Sequence, residues 1–248
     1  MMRLSRQVAA ALAPNARRRV RAVADAVLAP VGSIARAKHP TDLVAISFDD
    51  GPDPLVTPRL IEYLGSEDVK ATFFLLTDRA AAHPEIVRAM VREGHEIGLH
   101  SDNHDRLAKL KASDVRERLR RARGILEDIT GVPVTYFRAP YGAQSIGTVR
   151  VAQALGLEVC VWGPTAYDWE EQPAEQAAGR ALESTRGGDI VLLHDGLYLP
   201  AGEQMPTFDR VEMVRILIQG LRSKGLRPTT LGHLVTAAGA HKSAWFRP

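Results

Sequence analysis

The 248-residue sequence has a single cysteine, Cys160, so no intrachain disulfide can brace it. Cys160 sits in the apolar run Leu157-Glu158-Val159-Cys160-Val161-Trp162, the setting of a small core residue. No apolar stretch approaches the roughly 20 residues that span a bilayer. Met1 to Ala13 only imitates a secretory signal. Its apolar part, Val8 to Ala13, is short, and Arg17-Arg18-Arg19 follow where a cleavage region would lie. A non-secreted, cytoplasmic protein is the expectation. The chain also lacks a basic body. Residues 1–40 hold eight Lys or Arg against one Asp, whereas residues 41–248 hold 24 against 28 Asp or Glu. The formal charge of +3 comes from the N-terminal segment, which argues against a nucleic-acid binder.

With 45% hydrophobic and 25% charged residues, the chain can bury a full core, and its length suits one α/β domain. Two segments are expected: a basic, helical one over 1–40, and a folded body over 41–248. In the first, Pro14 and Pro30 bracket an amphipathic stretch, Arg17 to Leu28, and no strand signal appears. A helix packed on the body and a basic arm lying on an anionic membrane surface (residues 1–38) both fit it.

From Thr41 onward strands and helices alternate. Strands are expected at Leu43–Phe48, Ala71–Leu76, Glu96–Leu99, Val134–Phe137, Leu157–Trp162, Ile190–Leu193 and, weakly, Pro228–Leu231. Helices are expected at Thr57–Leu64, from His83-Pro84 to Gly94, from a Ser113 cap to Ile129, and at Val149–Leu155, Ala174–Glu183 and Phe208–Lys224. About seven βα units imply an α/β fold with a parallel sheet. Polar groups recur at the strand ends, which favours a closed barrel whose reactive residues gather at the C-terminal strand ends.

The first strand runs into Asp49-Asp50-Gly51-Pro52, where Gly-Pro stops it. Neighbouring strand residues point to opposite faces, so the two carboxylates should diverge, one toward a metal and one toward a reactant. The third strand leads to His100 and His104, whose spacing of four puts both on one face if the segment turns helically. With a carboxylate they make a two-histidine site that leaves positions open, as a catalytic zinc requires. Cobalt, nickel, manganese or iron also suit imidazole. Asp102, inside the pair, reads as solvated. The fourth strand ends at Arg138-Ala139-Pro140-Tyr141, and a guanidinium there can hold Asp49 ionised. Asp168 and Trp169 follow the fifth strand, and a carboxylate beside a histidine raises that histidine's pKa. The sixth ends at Leu192-Leu193-His194, and His194 is placed to act as a general acid.

These stretches resemble the polysaccharide deacetylases of the NodB-homology type (carbohydrate esterase family 4) over roughly Asp42 to Leu234. Ser47 to Pro52 is similar to the family's first motif, His100 to His104 to the second, and Arg138 to Tyr141 to the third. Asp168-Trp169 and Leu192 to His194 are similar to the last two. The resemblance implies an irregular (β/α)7 barrel. It implies Asp49 as catalytic base, Asp50, His100 and His104 as metal ligands, and Arg138 as the tether of the base. His194 is then the acid, tuned by Asp168, while Trp169 and Leu192 wall an acetyl pocket and the Tyr141 backbone N–H faces the oxyanion. Thr165 departs from the fourth motif, where many members carry an aspartate, and Asp105 replaces a frequent proline. The rim loop Leu197–Thr207 is expected to shape one side of the groove.

The implied activity is metal-dependent removal of N-acetyl groups from an amino-sugar oligosaccharide or polysaccharide, of the chitooligosaccharide, peptidoglycan or exopolysaccharide type. Its rivals are O-acetyl ester hydrolysis, deacylation of a lipid-linked sugar or non-sugar amide, and a catalytically silent glycan-binding barrel.

Overall fold

The computed structural model describes residues 27, 29–199, 202 and 204–246. In chain order the main elements are β1 (Ser33–Ala37), β2 (Leu43–Asp49), α1 (Thr57–Ser66), β3 (Thr72–Leu75), α2 (Thr77–Ala82), α3 (Pro84–Arg92) and β4 (Glu96–Leu99). There follow α4 (Ala112–Thr130), β5 (Tyr136–Phe137), α5 (Ile146–Ala154), β6 (Glu158–Val159), α6 (Ala174–Ser184) and β7 (Ile190–His194). The chain ends with α7 (Arg210–Ser223), β8 (Arg227–Thr229), α8 (Leu231–Ala238) and β9 (Ala240–Ser243).

β2 pairs with three other strands, β3, β7 and β8, and all seven of its residues are buried, as in a strand covered on both faces. β2 to β8 form one parallel sheet in the order β6-β5-β4-β3-β2-β7, with β8 paired to the start of β2. These are the seven expected strands. The sheet curls as a barrel does, and the gap between its outer strands is spanned by isolated pairings such as Thr165 with Leu192.

Alternation along β2 separates two cores. Val44, Ile46 and Phe48 face the helices, where Leu60 and Leu64 of α1 and Leu119 and Leu126 of α4 meet them. Leu43 and Ala45 face the interior with Phe74, Cys160, Ile190, Leu231 and Leu234. Each such large apolar side chain contributes about 1.5–3 kcal/mol on burial. Asp49 follows the odd-numbered, interior set, and so opens into the barrel mouth. Gly98 on β4 is needed because a Cβ there would overlap the Phe74 ring.

Several expectations are corrected. Residues 33–37 form a strand, β1, which pairs antiparallel with β9. Its partner lies at the other end of the chain, so no local pattern announces it. β5 and β6 are shorter than expected; just past β6, Cys160 still donates its N–H to the Phe137 carbonyl at 2.9 Å while also bridging Ile34 of β1. Ser113 does not cap α4: the cap position is Lys111, and Ser113 Oγ donates to Asp114 Oδ1 at 2.9 Å. Ser145 caps α5 instead, in a reciprocal box with Thr148. Leu231 opens a helix, α8, where a strand end was expected. Except for Val27, the amphipathic stretch Arg17 to Leu28 lies outside the described residues, as does Pro200 of the rim loop. No helix among the described residues is long and apolar enough to cross a membrane.

Candidate active site

Asp49 and Asp50 end the central strand at the mouth of the barrel, and both are buried. Strand alternation alone would send them to opposite faces. Instead, both carboxylates approach Nε2 of His100, Asp49 Oδ2 at 3.9 Å and Asp50 Oδ1 at 3.3 Å. The cause is local: Asp50 leaves the strand in the left-handed region, at φ +71°, which turns its side chain back toward the interior. A non-glycine residue held there costs on the order of 1–3 kcal/mol, a strain typical of working sites. Gly51 follows because a Cβ at that position would overlap the carboxylate of Asp195. Asp195 is itself buried, accepts from Thr57 Oγ1 at 2.6 Å, and is pushed up by burial to about 7.

Arg138, fully buried, donates from NH1 to Asp49 Oδ1 at 2.6 Å. Its guanidinium lies 4.1 Å from the centre of the Phe74 ring, which Gly98 leaves room for. A charge-assisted bond of this kind fixes the orientation of the Asp49 carboxylate. The same residue serves the histidines through its backbone. His100 Nδ1 is 2.8 Å from the Arg138 carbonyl oxygen, which can only accept. Nδ1 therefore carries the hydrogen, and Nε2 presents a lone pair toward Asp50.

His104 reaches the same carboxylate oxygen, with Nε2 3.1 Å from Asp50 Oδ1. The segment 100–106 does not turn helically; a bend with Ser101 at φ +86° brings the two rings to 5.3 Å. The three ligand atoms of Asp50, His100 and His104 lie within 4.8 Å of one another. Asp50 Oδ1 is buried and accepts no hydrogen bond. Lone pairs converging on an unpartnered oxygen repel unless a cation sits between them, so this donor set fits a divalent metal ion. Asp102, read as solvated, is instead bound by Arg121 at 3.1 Å and Arg118 at 3.4 Å.

Across the mouth, Asp168 is fully buried and grips His194. Oδ2 accepts the His194 backbone N–H at 2.7 Å, and Oδ1 lies 2.8 Å from its Nδ1. Burial lowers the pKa of His194, yet the Asp168 carboxylate more than reverses this, raising it to about 9. Trp169 stands edge-on to the His194 ring at 5.5 Å. A cavity of about 410 Å³ is lined by Asp49, Asp50, His100, His104, His194, Leu192, Trp169 and Tyr141, so the structure brings these predicted residues together. Arg138 and Asp168 stand behind this wall, holding Asp49 and His194. Tyr141 is at φ +59° in the turn Pro140–Gly142, and its ring meets that of His104 at 4.2 Å.

Four contributors were missed. Arg210, buried at the start of α7, donates to the Asp168 carbonyl at 2.9 Å and reaches its carboxylate at 3.3 Å. Arg79 of α2 donates to the carbonyls of Asp50, at 3.0 Å, and Leu197, at 2.9 Å. That clamp holds the rim loop, whose Tyr198 N–H donates to Asp50 Oδ2 at 3.1 Å. Trp162 also lines the cavity, braced from behind by Trp245 at 5.4 Å. Arg106 is the fourth, at the rim over Tyr141. Arginines in ordinary helices and loops carry no local signal of such contacts. Only Trp162, at a strand end, stood where the sequence could have marked it. His95, expected to be structural, is buried, accepts from the Ala71 N–H at 3.2 Å, and is lowered to about 4 by burial. The Cys160 thiol is likewise buried and pushed up by burial to about 12.

Residues 36–160 match the polysaccharide deacetylase family model. A chitooligosaccharide deacetylase of Azorhizobium caulinodans is 37% identical over 167 residues, covering 67% of this chain and 80% of that protein. A peptidoglycan-N-acetylglucosamine deacetylase of Bacillus cereus is 32% identical over 188 residues, covering 76% of this chain and 66% of that protein. Among solved structures, a family 4 acetyl xylan esterase from Clostridium thermocellum, in complex with a cobalt ion, superposes with a TM-score of 0.69 at 33% identity, covering 79% of this chain and 91% of that one. With sequence, fold and site geometry in agreement, the chain belongs to the polysaccharide deacetylase family of hydrolases.

Proposed function

We propose that this protein removes N-acetyl groups from an amino-sugar oligosaccharide or polysaccharide, releasing acetate and a free amine. The observation that carries this reading is a base and an acid lining one cavity. Asp49 is oriented by Arg138, and His194 is kept protonated by Asp168. Asp50, His100 and His104 would hold a divalent ion, with zinc the first choice for two imidazoles and a carboxylate. Such an ion, when bound, lowers the pKa of water and polarises the amide carbonyl.

The chain's own groups supply the rest. Asp49 takes the proton of the attacking water, since Arg138 orients its carboxylate and leaves one oxygen free of that bond. The backbone N–H of Tyr141 is the protein donor proposed for the tetrahedral oxyanion. His194 then gives its proton to the departing amine. Trp169 and Leu192 close the apolar side against the acetyl methyl and exclude water.

Ester hydrolysis is the second reading, since the cobalt-bound structural neighbour is an acetyl xylan esterase. An alcohol leaves with less need of a proton than an amine does. A histidine raised to about 9 is better matched to the amide. The deciding experiment is acetate release from matched N-acetyl and O-acetyl oligosaccharides, using metal-stripped protein with and without added zinc or cobalt. Asp49→Asn is the control. Metal-dependent release from the amide that the control abolishes supports the reading; release from the ester alone replaces it.

A further inference from the structure

We infer that Arg106 forms an anion-reading subsite beside the catalytic cavity, and that the substrate is an acetylated amino-sugar chain bearing carboxylates. This rests on the deacetylase reading of the same cavity.

Arg106 lines the cavity and is exposed. Its guanidinium lies over the face of Tyr141, 4.3 Å from the ring centre, and the same ring stands 4.2 Å from that of His104. One aromatic layer thus separates the guanidinium from a metal-ligand residue, about the scale of a substituent on the acetylated sugar or its neighbour. The stacking restrains the side chain and leaves the edge of its donor fork to the solvent in the groove.

Arg106 is unlike the arginines around it. Arg118 is bound to Asp105 at 2.9 Å, and Arg121 to Asp102 at 3.1 Å. Asp105, the adjacent carboxylate, is therefore already taken. Among the described residues no carboxylate pairs with Arg106. The two carboxylates that line the cavity, Asp49 and Asp50, are buried, Asp49 held by Arg138 and Asp50 grouped with His100 and His104 in the candidate metal set. An anionic group on a bound glycan would thus meet a free fork at this rim. A guanidinium recognises a carboxylate through two parallel charge-assisted hydrogen bonds.

The test is equilibrium binding by the full chain, zinc-loaded and carrying Asp49→Asn, followed by the fluorescence of Trp162 and Trp169 in the cavity wall. Three tetrasaccharides are compared. One is N-acetylglucosamine throughout, one alternates it with an O-lactyl-bearing N-acetylated sugar, and one alternates it with a uronic acid. At low salt an acidic tetramer should bind about five- to tenfold more tightly than the neutral one, as a well-oriented rim pair allows. The margin should shrink as ionic strength rises, vanish in Arg106→Gln, and persist in part in Arg106→Lys. Whichever acidic tetramer binds better shows whether the carboxylate belongs to the acetylated sugar or to its neighbour. Equal binding, no binding, or a preference that survives Arg106→Gln overturns the inference. The ratio of kcat/KM for the same ligands in the unmodified chain is the second measurement. Discrimination without acetate release refutes the deacetylase reading alone; acetate release without discrimination refutes the subsite alone.

Discussion

Asp168 holds His194 at two points, accepting the backbone N–H at 2.7 Å with one oxygen and facing ring Nδ1 at 2.8 Å with the other. A carboxylate placed this way fixes the ring and favours its charged form. His194, raised to about 9, is protonated at neutral pH, so activity that needs its proton should fall as pH rises through about 9. Asp168→Asn removes the largest raising influence. The alkaline limb of kcat/KM should then move to lower pH and the maximum drop by about 100-fold. An alkaline limb that stays in place would show that His194 is not the proton donor.

The same pair couples pH to stability. His194 has an ordinary value of 6.5 and a folded value of about 9, so its contribution is full below 6.5 and is lost as pH rises through about 9. Thermal melts across this range should lose stability with rising pH in the parent, and lose less of it in Asp168→Asn.

Metal should stabilise the fold. At zinc one hundred times above its dissociation constant, mass action adds about 2.7 kcal/mol, or roughly 5–10 °C in Tm for a domain of this size. His104→Ala removes one of the three ligands and should abolish most of that shift. Asp49→Asn should keep it, because Asp50, His100 and His104 remain and the amide oxygen can still accept from Arg138.

Arg79 offers a separate handle on the metal set. Arg79→Met strips donors from the carbonyls of Asp50 and Leu197, loosening both the strained Asp50 backbone and the loop that supplies the Tyr198 N–H. Zinc affinity, measured against a chromophoric chelator, should fall about 10–100-fold, as it does when outer supports of ligands are removed. An unchanged affinity would reduce Arg79 to a loop clasp.

Gly98→Ala tests the floor beneath Arg138. The added methyl group overlaps Phe74, on which the guanidinium rests at 4.1 Å. A loss of about 1–3 kcal/mol is expected from overpacking. Activity should fall further than stability alone explains, because Asp49 loses its aligned partner. The check is kcat measured well below the lowered Tm.

The sequence by itself determined the parallel sheet and the chemistry at its rim. Seven apolar runs alternate with helical patterns, and the polar residues that stop them are set by strand alternation and by Gly-Pro, all local effects. Asp49, Asp50, His100, His104 and His194 were legible for that reason, each lying at or just beyond a strand end. Tertiary structure alone decided how they meet. Asp50 reaches the same imidazole as Asp49 only through its left-handed backbone, held by Arg79 and the Tyr198 N–H. Asp168 is steadied by Arg210, 42 residues away, and β1 finds its partner, β9, at the far end of the chain. A hydrogen bond or ion pair between remote residues leaves no periodicity in either segment, because it depends on one atom's position and not on a repeating face. Composition and spacing placed the reactive groups on one rim; the distances that make them a site belong to the folded chain.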